Sequence, residues 1–471
     1  MRTARLHFFS FLRQQRLDKI INRIYNIQVS KIFSIFSEHV NIKKERKMTC
    51  DMCNKLAIDG GTAVNTEAFP LWPVYSEKTY QMLAEPLRTA KLNYWSGPYG
   101  KKFEKDLADW HQAKYCVTTV NEYGAFHLAL SALGVVPGDE VICPSYIYFP
   151  PVFAILQLGA LPVFSDVDYS HTLDPKLIEE KITAKTKAIV VGHMYGIVSD
   201  MGPIMAIAKK HGLRVLEDCT ECFGGLYQGK KAGTVGDVGC FNLCHTKHLT
   251  TGGEGGAIIT NDQDIFQTCF SLRDYGFDTS NGLDMIKEEQ RRLYVHNRIG
   301  CNYRMTEIQS LIGSCELERM DSWNLPLRRR NGQYLIDALK DHPLVLHVPF
   351  DSEERKNSFW WAPFALDIEK LKVPMKQFLA AMGAEGVPVY GPLWPELYKE
   401  DVLRDKCGIG ADNYPFNTPA AAKMDYANLV LPTAKWLAER TISFFAHPHY
   451  EISHLDKYVA AFNKVAKAYM K

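Results

Sequence analysis

From Gly138 onward, short apolar runs alternate with longer segments of helical period, and this alternation limits the possible folds more than any other feature of the chain. "DEVICPSY" reads as a strand ending in a proline turn, "PPVFAILQLGA" as a helix, and "LPVFSDVD" as a strand again. "DPKLIEEKI" reads as helical, "KAIVVGHMYG" as a buried strand, and "MGPIMAIAKKHG" as a helix closed by Gly212. "LRVLEDCTE" follows as a further strand. Strands that are apolar on both faces, joined by helices, predict an α/β fold with a mostly parallel sheet covered on both sides. In such sheets ligands gather at the carboxyl ends of the strands. Asp218 ends "RVLED", Tyr148 follows "EVICPS" and Lys247 follows "GCFNL", so one crevice is predicted to receive all three.

After about residue 315 the pattern changes. "ELERMDSWNLPLRRRNGQYLIDAL" reads as one long helical stretch, followed by a smaller mixed region that ends in the strand "TISFFAHP" and a last helix. The expected division is a large α/β domain over 48–314 and a C-terminal α+β domain over 315–471. Residues 1–47 stand apart, with eleven Lys or Arg against three acidic residues and neither Gly nor Pro. Leu17, Ile20, Ile21, Ile24 and Ile27 repeat at helical spacing, as in a targeting or membrane-surface helix. The favoured expectation is upstream sequence ahead of a start at Met48, outside the catalytic fold in either case.

The totals exclude several classes. A formal net charge of +2 argues against a nucleic-acid binder. No run approaches the roughly 18 apolar residues of a membrane span. The 12 cysteines lie scattered, many in apolar stretches, which suggests a reducing, cytoplasmic setting. The pairs Cys50/Cys53 and Cys219/Cys222 lack a matching set of further ligands, so no metal is expected at either. No Gly-x-Gly-x-x-Gly follows a first strand, which makes a nucleotide-dependent dehydrogenase a poor reading.

The chemistry centres on "CFNLCHTKHLTTGGEGGAIIT", residues 240–260, where Lys247 precedes a run of bare backbone. A free lysine is protonated at neutral pH, with a pKa of about 10.4. Burial beside a cofactor frees the amine to attack an aldehyde. Pyridoxal phosphate asks a protein for three things: a Schiff-base lysine, a carboxylate against its pyridine nitrogen, and a phosphate cup. Lys247, Asp218 and the helix-start backbone near the glycines can supply them, and Tyr148 can cover one ring face. Each signal alone has an ordinary explanation: a surface lysine, a capping aspartate, a tight turn.

Their joint order carries the reading. From about Leu56 to the end, the chain resembles the pyridoxal-phosphate sugar aminotransferases of the DegT/StrS group. Four blocks carry the resemblance in order: "GDEVICPSYIYFPPVFAILQLGALPVFSDVD", "HMYGIVSDMGPIMAIAKKHGLRVLEDCTECFGG", "GDVGCFNLCHTKHLTTGGEGGAIIT" and "RIGCNYRMTEIQSLIGSCELERMD". The opening "KLAIDGG" resembles the branch that aminates keto-inositols and makes aminohydroxybenzoate. The resemblance implies a fold-type I aminotransferase, with Lys247 as the Schiff-base lysine and proton shuttle. It implies Asp218 on the pyridine nitrogen, Tyr148 stacked on the ring, and Glu221 near the ring hydroxyl. Asn302, with Arg304 as the nearby alternative, would reach the phosphate of a neighbouring subunit in a homodimer with shared active sites.

Two departures from the family pattern stand out. Asn242 replaces the usual serine five residues before the lysine, and its amide can still donate. The phosphate loop, usually Ser-Gly-Thr or Asn-Gly-Thr, reads "NEY", so Glu122 and Tyr123 replace Gly-Thr. A carboxylate beside a phosphate dianion is unfavourable unless it points away or is paired. The leading expectation is an aminotransferase that moves nitrogen from glutamate or glutamine to the keto group of a nucleotide-linked sugar or cyclitol. Alternatives are a catalytically weak member with a binding or regulatory role, and a sugar dehydratase, in which histidine would replace Lys247. His245 and Trp394 are candidate pocket residues on the acceptor side.

Overall fold

A computed structural model describes residues 55–282 and 295–471. The basic extension 1–47 and the Cys50/Cys53 pair lie outside the described residues.

The predicted strands and their partners form a seven-stranded sheet in the order β1-β9-β8-β5-β4-β2-β3. The strands are β1 (Tyr115–Thr119), β2 (Glu140–Pro144), β3 (Leu161–Ser165), β4 (Thr186–Gly192), β5 (Arg214–Asp218), β8 (Val238–Asn242) and β9 (Gly256–Thr260). β6 (Leu226–Tyr227) and β7 (Lys230–Lys231) form a hairpin between β5 and β8, edged by β11 (Arg355–Lys356). β2 pairs with β3 and β4, β4 with β5, and β5 with β8, all in parallel. β9 runs antiparallel between β1 and β8.

Two-sided burial explains the apolar strands. Val141, Cys143, Val190 and Ile258 face a core shared with α2 (Glu122–Ala132), α3 (Phe149–Gln157) and α5 (Gln263–Arg273). Their neighbours Ile142, Ile189, Val191 and Ile259 face the opposite core, with α1 (Tyr99–His111) and α4 (Met201–His211). Gly212 ends α4 in the left-handed conformation, as its position predicts.

Two expected helices differ. "DPKLIEEKI" forms only two 3-10 turns, Pro175–Leu177 and Glu179–Lys181. Within it only Ile178 is fully buried, too narrow an apolar face to offset the cost of nucleating a longer helix. The stretch read as one helix through 316–339 is two. α6 (Glu307–Leu317) stops, a π turn spans Met320–Asn324, and α7 (Leu325–Leu339) follows with Pro326 in its first turn. Proline has no N–H to give, which suits a helix start and not an interior.

A second sheet, β10 (Val345–His347), β12 (Trp361–Leu366), β14 (Thr441–Phe445) and β13 (Val389–Tyr390), is antiparallel throughout. It packs its own core with α7, α8 (Met375–Ala384) and α10 (Ile452–Tyr469). The segment between β13 and β14 returns to the large sheet: Leu397 N–H donates to Ser145 O at 3.1 Å and Tyr426 Oη to Pro162 O at 2.8 Å. A large, mostly parallel sheet and a smaller antiparallel one thus make up the architecture, as the sequence predicts.

Candidate active site

β5 delivers Asp218 to the carboxyl edge of the large sheet, where it is buried between β4 and β8. Its Oδ1 accepts the N–H of Thr220 at 3.0 Å. Burial pushes the carboxyl above its ordinary range, against the pull of the Thr220 hydrogen bonds and of Lys247. Three residues on, Glu221 is also buried, and its Oε2 accepts the N–H of Tyr195 at 2.7 Å. Its Oε1 has no hydrogen-bond partner among the described residues and stands 3.6 Å from Lys247 Nζ. Burial raises this carboxyl too, with Lys247 opposing.

Lys247 is only 4% exposed. Its amine lies 3.8 Å from the centre of the Trp360 ring, which serves as an apolar floor. The backbone beneath it is tied at three consecutive carbonyls. Trp360 Nε1 donates to Thr246 O at 2.8 Å, Trp72 Nε1 to Lys247 O at 3.1 Å, and Asn324 Nδ2 to His248 O at 2.6 Å. The amine is thus the mobile end of a side chain whose root is fixed. Sequence reading missed Trp72, Trp360 and Asn324, because their donors meet this loop only through the tertiary fold.

The start of α2 is the place where a phosphate cup is expected. Asn121 caps it, its side-chain oxygen accepting the N–H of Gly124 at 2.9 Å. The N–H groups of Glu122 and Tyr123 have no intrahelical acceptor and remain for a ligand. Gly256 opens β9 so close by that a Cβ would stand 2.4 Å from Asn121 O, which is why bare backbone is needed there. The Tyr123 hydroxyl is buried without a hydrogen-bond partner among the described residues. Asn242 ends β8, and its side-chain oxygen accepts Cys244 N–H at 2.7 Å, leaving its amide as a donor. Glu122 is half-buried, and burial holds its carboxyl up at about 7, against the attraction of Lys247 and with Asp218, Glu254 and Glu221 adding to the rise.

Tyr148 caps α3 from its N-terminal side, its ring 4.1 Å from that of Trp394. Glu122, Cys244, Glu254 and Glu221 all act electrostatically on its hydroxyl, so Tyr148 shares the crevice. His245 is exposed and lines a cavity of about 370 Å³ with Trp72, Trp361, Tyr390, Phe445 and His447. Asn302 is exposed and bridges Asp274, while Arg304 donates to Asp274 Oδ1 at 2.8 Å. Asp218, Glu221, Lys247, Glu122 and Tyr148 are therefore gathered around one crevice, with Asn242 and Tyr123 at its margin, and Asn302 faces outward.

Cys219 stands near His193 and Glu217 in a buried trio. Glu217 already accepts from His193 Nε2 at 3.0 Å and from the N–H groups of Gly233, Val235 and Gly236. His193 Nδ1 accepts from Ser199 N–H at 3.0 Å. The lone pairs a cation would need are spent, and the trio acts as a strut beneath β5.

The donor set fits pyridoxal phosphate at the ring end: a buried amine, a strand-end carboxylate for the ring nitrogen, and an unpaired oxygen on Glu221. A large parallel sheet presenting those groups belongs to the pyridoxal-phosphate-dependent aminotransferases of fold type I. More narrowly, the chain belongs to the DegT/DnrJ/EryC1/StrS aminotransferase family, whose model matches residues 74–442. It is 35% identical over 326 residues to the GDP-perosamine synthase of Escherichia coli O157:H7, covering 68% of this chain and 85% of that protein. It is 31% identical over 406 residues to the L-glutamine:2-deoxy-scyllo-inosose aminotransferase of Streptoalloteichus tenebrarius, covering 83% and 92%. The aminotransferase structure from Psychrobacter cryohalolentis superposes with a TM-score of 0.76 at 29% identity, over 85% of this chain and 99% of that one.

Proposed function

We propose that this aminotransferase takes an amino group from glutamate or glutamine and delivers it to the keto carbon of a nucleotide-linked sugar or a cyclitol, with Lys247 as its catalytic residue. The observation that carries the reading is the buried Lys247 amine, 3.6 Å from Glu221 and within the field of Asp218. The names of the two relatives, one acting on a glutamine and an inosose, support the donor and acceptor classes.

When bound, pyridoxal phosphate supplies an electrophilic aldehyde and an electron-withdrawing ring. Lys247 would hold the aldehyde through its amine, and the same Nζ would take up and return the proton at the substrate carbon. Its tied backbone and the Trp360 ring fix the root of that side chain. Asp218, as a carboxylate, would hold the ring nitrogen, whose positive charge would offset the burial that lifts the carboxyl. Glu221 would offer its second carboxylate oxygen to the ring hydroxyl. Tyr148, beside Trp394, would cover the ring. Retention of a lysine at 247 favours amination over the dehydratase reading.

Two copies are proposed to pair, with Asn302 of each reaching toward the phosphate of the other. Exposed apolar side chains around Asn302 support this: Ile299 is 96% exposed and Tyr275 49%. A cytoplasmic location is proposed from the reduced-cysteine composition. Among the described residues no helix is long and apolar enough to cross a membrane.

The test is absorbance of the purified protein before and after borohydride, with peptide mass mapping. A band at about 410–430 nm, trapped on Lys247, is the expected result. Trapping on another lysine, or no band after soaking in pyridoxal phosphate, overturns the assignment. Donor and keto-acceptor screens then decide between sugar and cyclitol.

A further inference from the structure

Tyr195 is fully buried in the turn after β4, and its backbone is left-handed, with φ 58° and ψ 7°. A tyrosine takes that conformation only against steric resistance, so its surroundings must hold it there. They do so from three sides. Its N–H donates to Glu221 Oε2 at 2.7 Å, which leaves the other oxygen of that carboxyl 3.6 Å from the Lys247 amine. Its carbonyl accepts the N–H of Trp360, whose ring lies against that amine, at 2.9 Å. Its hydroxyl accepts the N–H of Leu393 at 3.0 Å and pairs with the hydroxyl of Tyr146 at 2.8 Å.

The last of these reaches the opposite wall of the crevice. Leu393 precedes Trp394, whose ring stands 4.1 Å from that of Tyr148, and Tyr146 lies two residues before Tyr148. One hydroxyl thus joins the two chain segments that carry the Tyr148–Trp394 pair. The ring bearing it is confined by His171, at 5.2 Å between centres, and by Tyr146, at 6.1 Å, both edge-on. A part-buried N–H that loses its acceptor is costly, so this bond is worth keeping. Peptide and side chain therefore serve different places: the peptide of Tyr195 sets the surroundings of Lys247, and its hydroxyl sets the aromatic wall.

Resting on the reading that the cofactor and the amino donor lie between Lys247 and that aromatic pair, we propose that Tyr195 is a positioning residue for amino transfer, its hydroxyl seating the Leu393–Trp394 turn against Tyr148 so that substrate meets a wall already formed. The two duties are separable, because one belongs to the backbone and the other to a single oxygen. Losing the hydroxyl loosens the wall and spares the amine. Substrate must then order the wall as it binds, so its affinity falls while the reacting groups keep their places.

The experiment compares the full-length wild type with Tyr195→Phe and Tyr146→Phe. Each variant loses one hydroxyl of the same buried pair, and only the first strips Leu393 N–H of its acceptor. Hydrogen exchange read by mass spectrometry reports the tie without substrate. Pro392 and Pro395 carry no N–H, so the signal between them comes from Leu393 and Trp394. Tyr195→Phe is expected to speed exchange there by about tenfold, with Tyr146→Phe near the wild type. In protein loaded with pyridoxal phosphate, the glutamate half-reaction is followed by absorbance. Its half-saturation is expected to rise by about tenfold in Tyr195→Phe while the saturating rate stays within about threefold and trapping on Lys247 is unchanged. A hydroxyl with a merely structural role would lower stability in both variants and leave half-saturation where it was. Equal exchange in all three proteins overturns the proposal, as does an unchanged half-saturation in Tyr195→Phe. Rapid exchange of Leu393 in the wild type alone overturns it too, should the variants fold poorly. A wild type that traps no cofactor, or gives no half-reaction with glutamate or glutamine, sinks the proposed function instead, and the exchange comparison then decides the role of Tyr195 by itself.

Discussion

On the proposed assignment, the two ends of the crevice are built on different principles. The ring end would depend on side chains: Lys247, Asp218 and Glu221, each buried in a place the fold fixes. The phosphate end would depend mostly on backbone N–H groups at the start of α2, where the side chains can vary. The lesson is that a departure from a family pattern weighs differently at the two ends. Replacing Lys247 would remove a reaction, whereas Glu122 and Tyr123 in place of Gly-Thr would alter only the surroundings of the helix start.

That contrast can be broken most directly at Lys247. Lys247→Ala is expected to lower turnover by about four orders of magnitude or more and to abolish the borohydride-trapped peptide, measured by steady-state kinetics and mass mapping. Residual turnover near the wild-type level would show that the ring end tolerates substitution after all. Asp218→Asn comes next. With the carboxylate gone from the ring nitrogen, kcat should fall by about 10²–10³-fold while the cofactor stays trapped on Lys247.

The phosphate end makes a smaller and pH-dependent prediction, read without cofactor. Glu122 gives up its proton at about 4.3 in the unfolded chain and at about 7 in the folded one. Between those values the folded state binds more protons, so the apo protein loses stability as pH rises from about 4 to 7 and does not regain it above. Glu122→Gln lacks that loss and should be more stable than wild type by about 1–3 kcal/mol at pH 8, with no difference at pH 4, by urea unfolding. Equal stability at both pH values would mean that Glu122 is solvated and outside the cup. The smallest effect is expected from Trp72→Phe. It keeps an aromatic ring but removes the donor to Lys247 O, for a loss of about 0.5–1.5 kcal/mol and little change in trapping.

The same contrast explains what the sequence made legible. The placement of Asp218, Tyr148 and Lys247 was readable because strand-end positions in an alternating α/β pattern follow from local hydrophobicity, and the family blocks supplied the roles proposed for them. The helical reading of "DPKLIEEKI" failed because composition favoured a helix while only one of its side chains, Ile178, is fully buried. The helix break near Met320–Asn324 was signalled only by Pro326, which marks a start as readily as an interruption. Trp360 under the lysine, and the three donors to its loop, were unreadable because they come from elements far away in the chain. Glu122 was visible in its loop, but what lifts its carboxyl, burial first and the carboxylates of Asp218, Glu254 and Glu221 after it, is set only by the tertiary structure.

The three ties beneath Lys247 come from distant parts of the polypeptide. Trp72 lies early in the described chain, Asn324 at the entry to α7 and Trp360 at the edge of the small sheet. The course of the backbone under the lysine is therefore set only once those parts have packed together. The place of this amine belongs to the whole fold rather than to the loop that carries it.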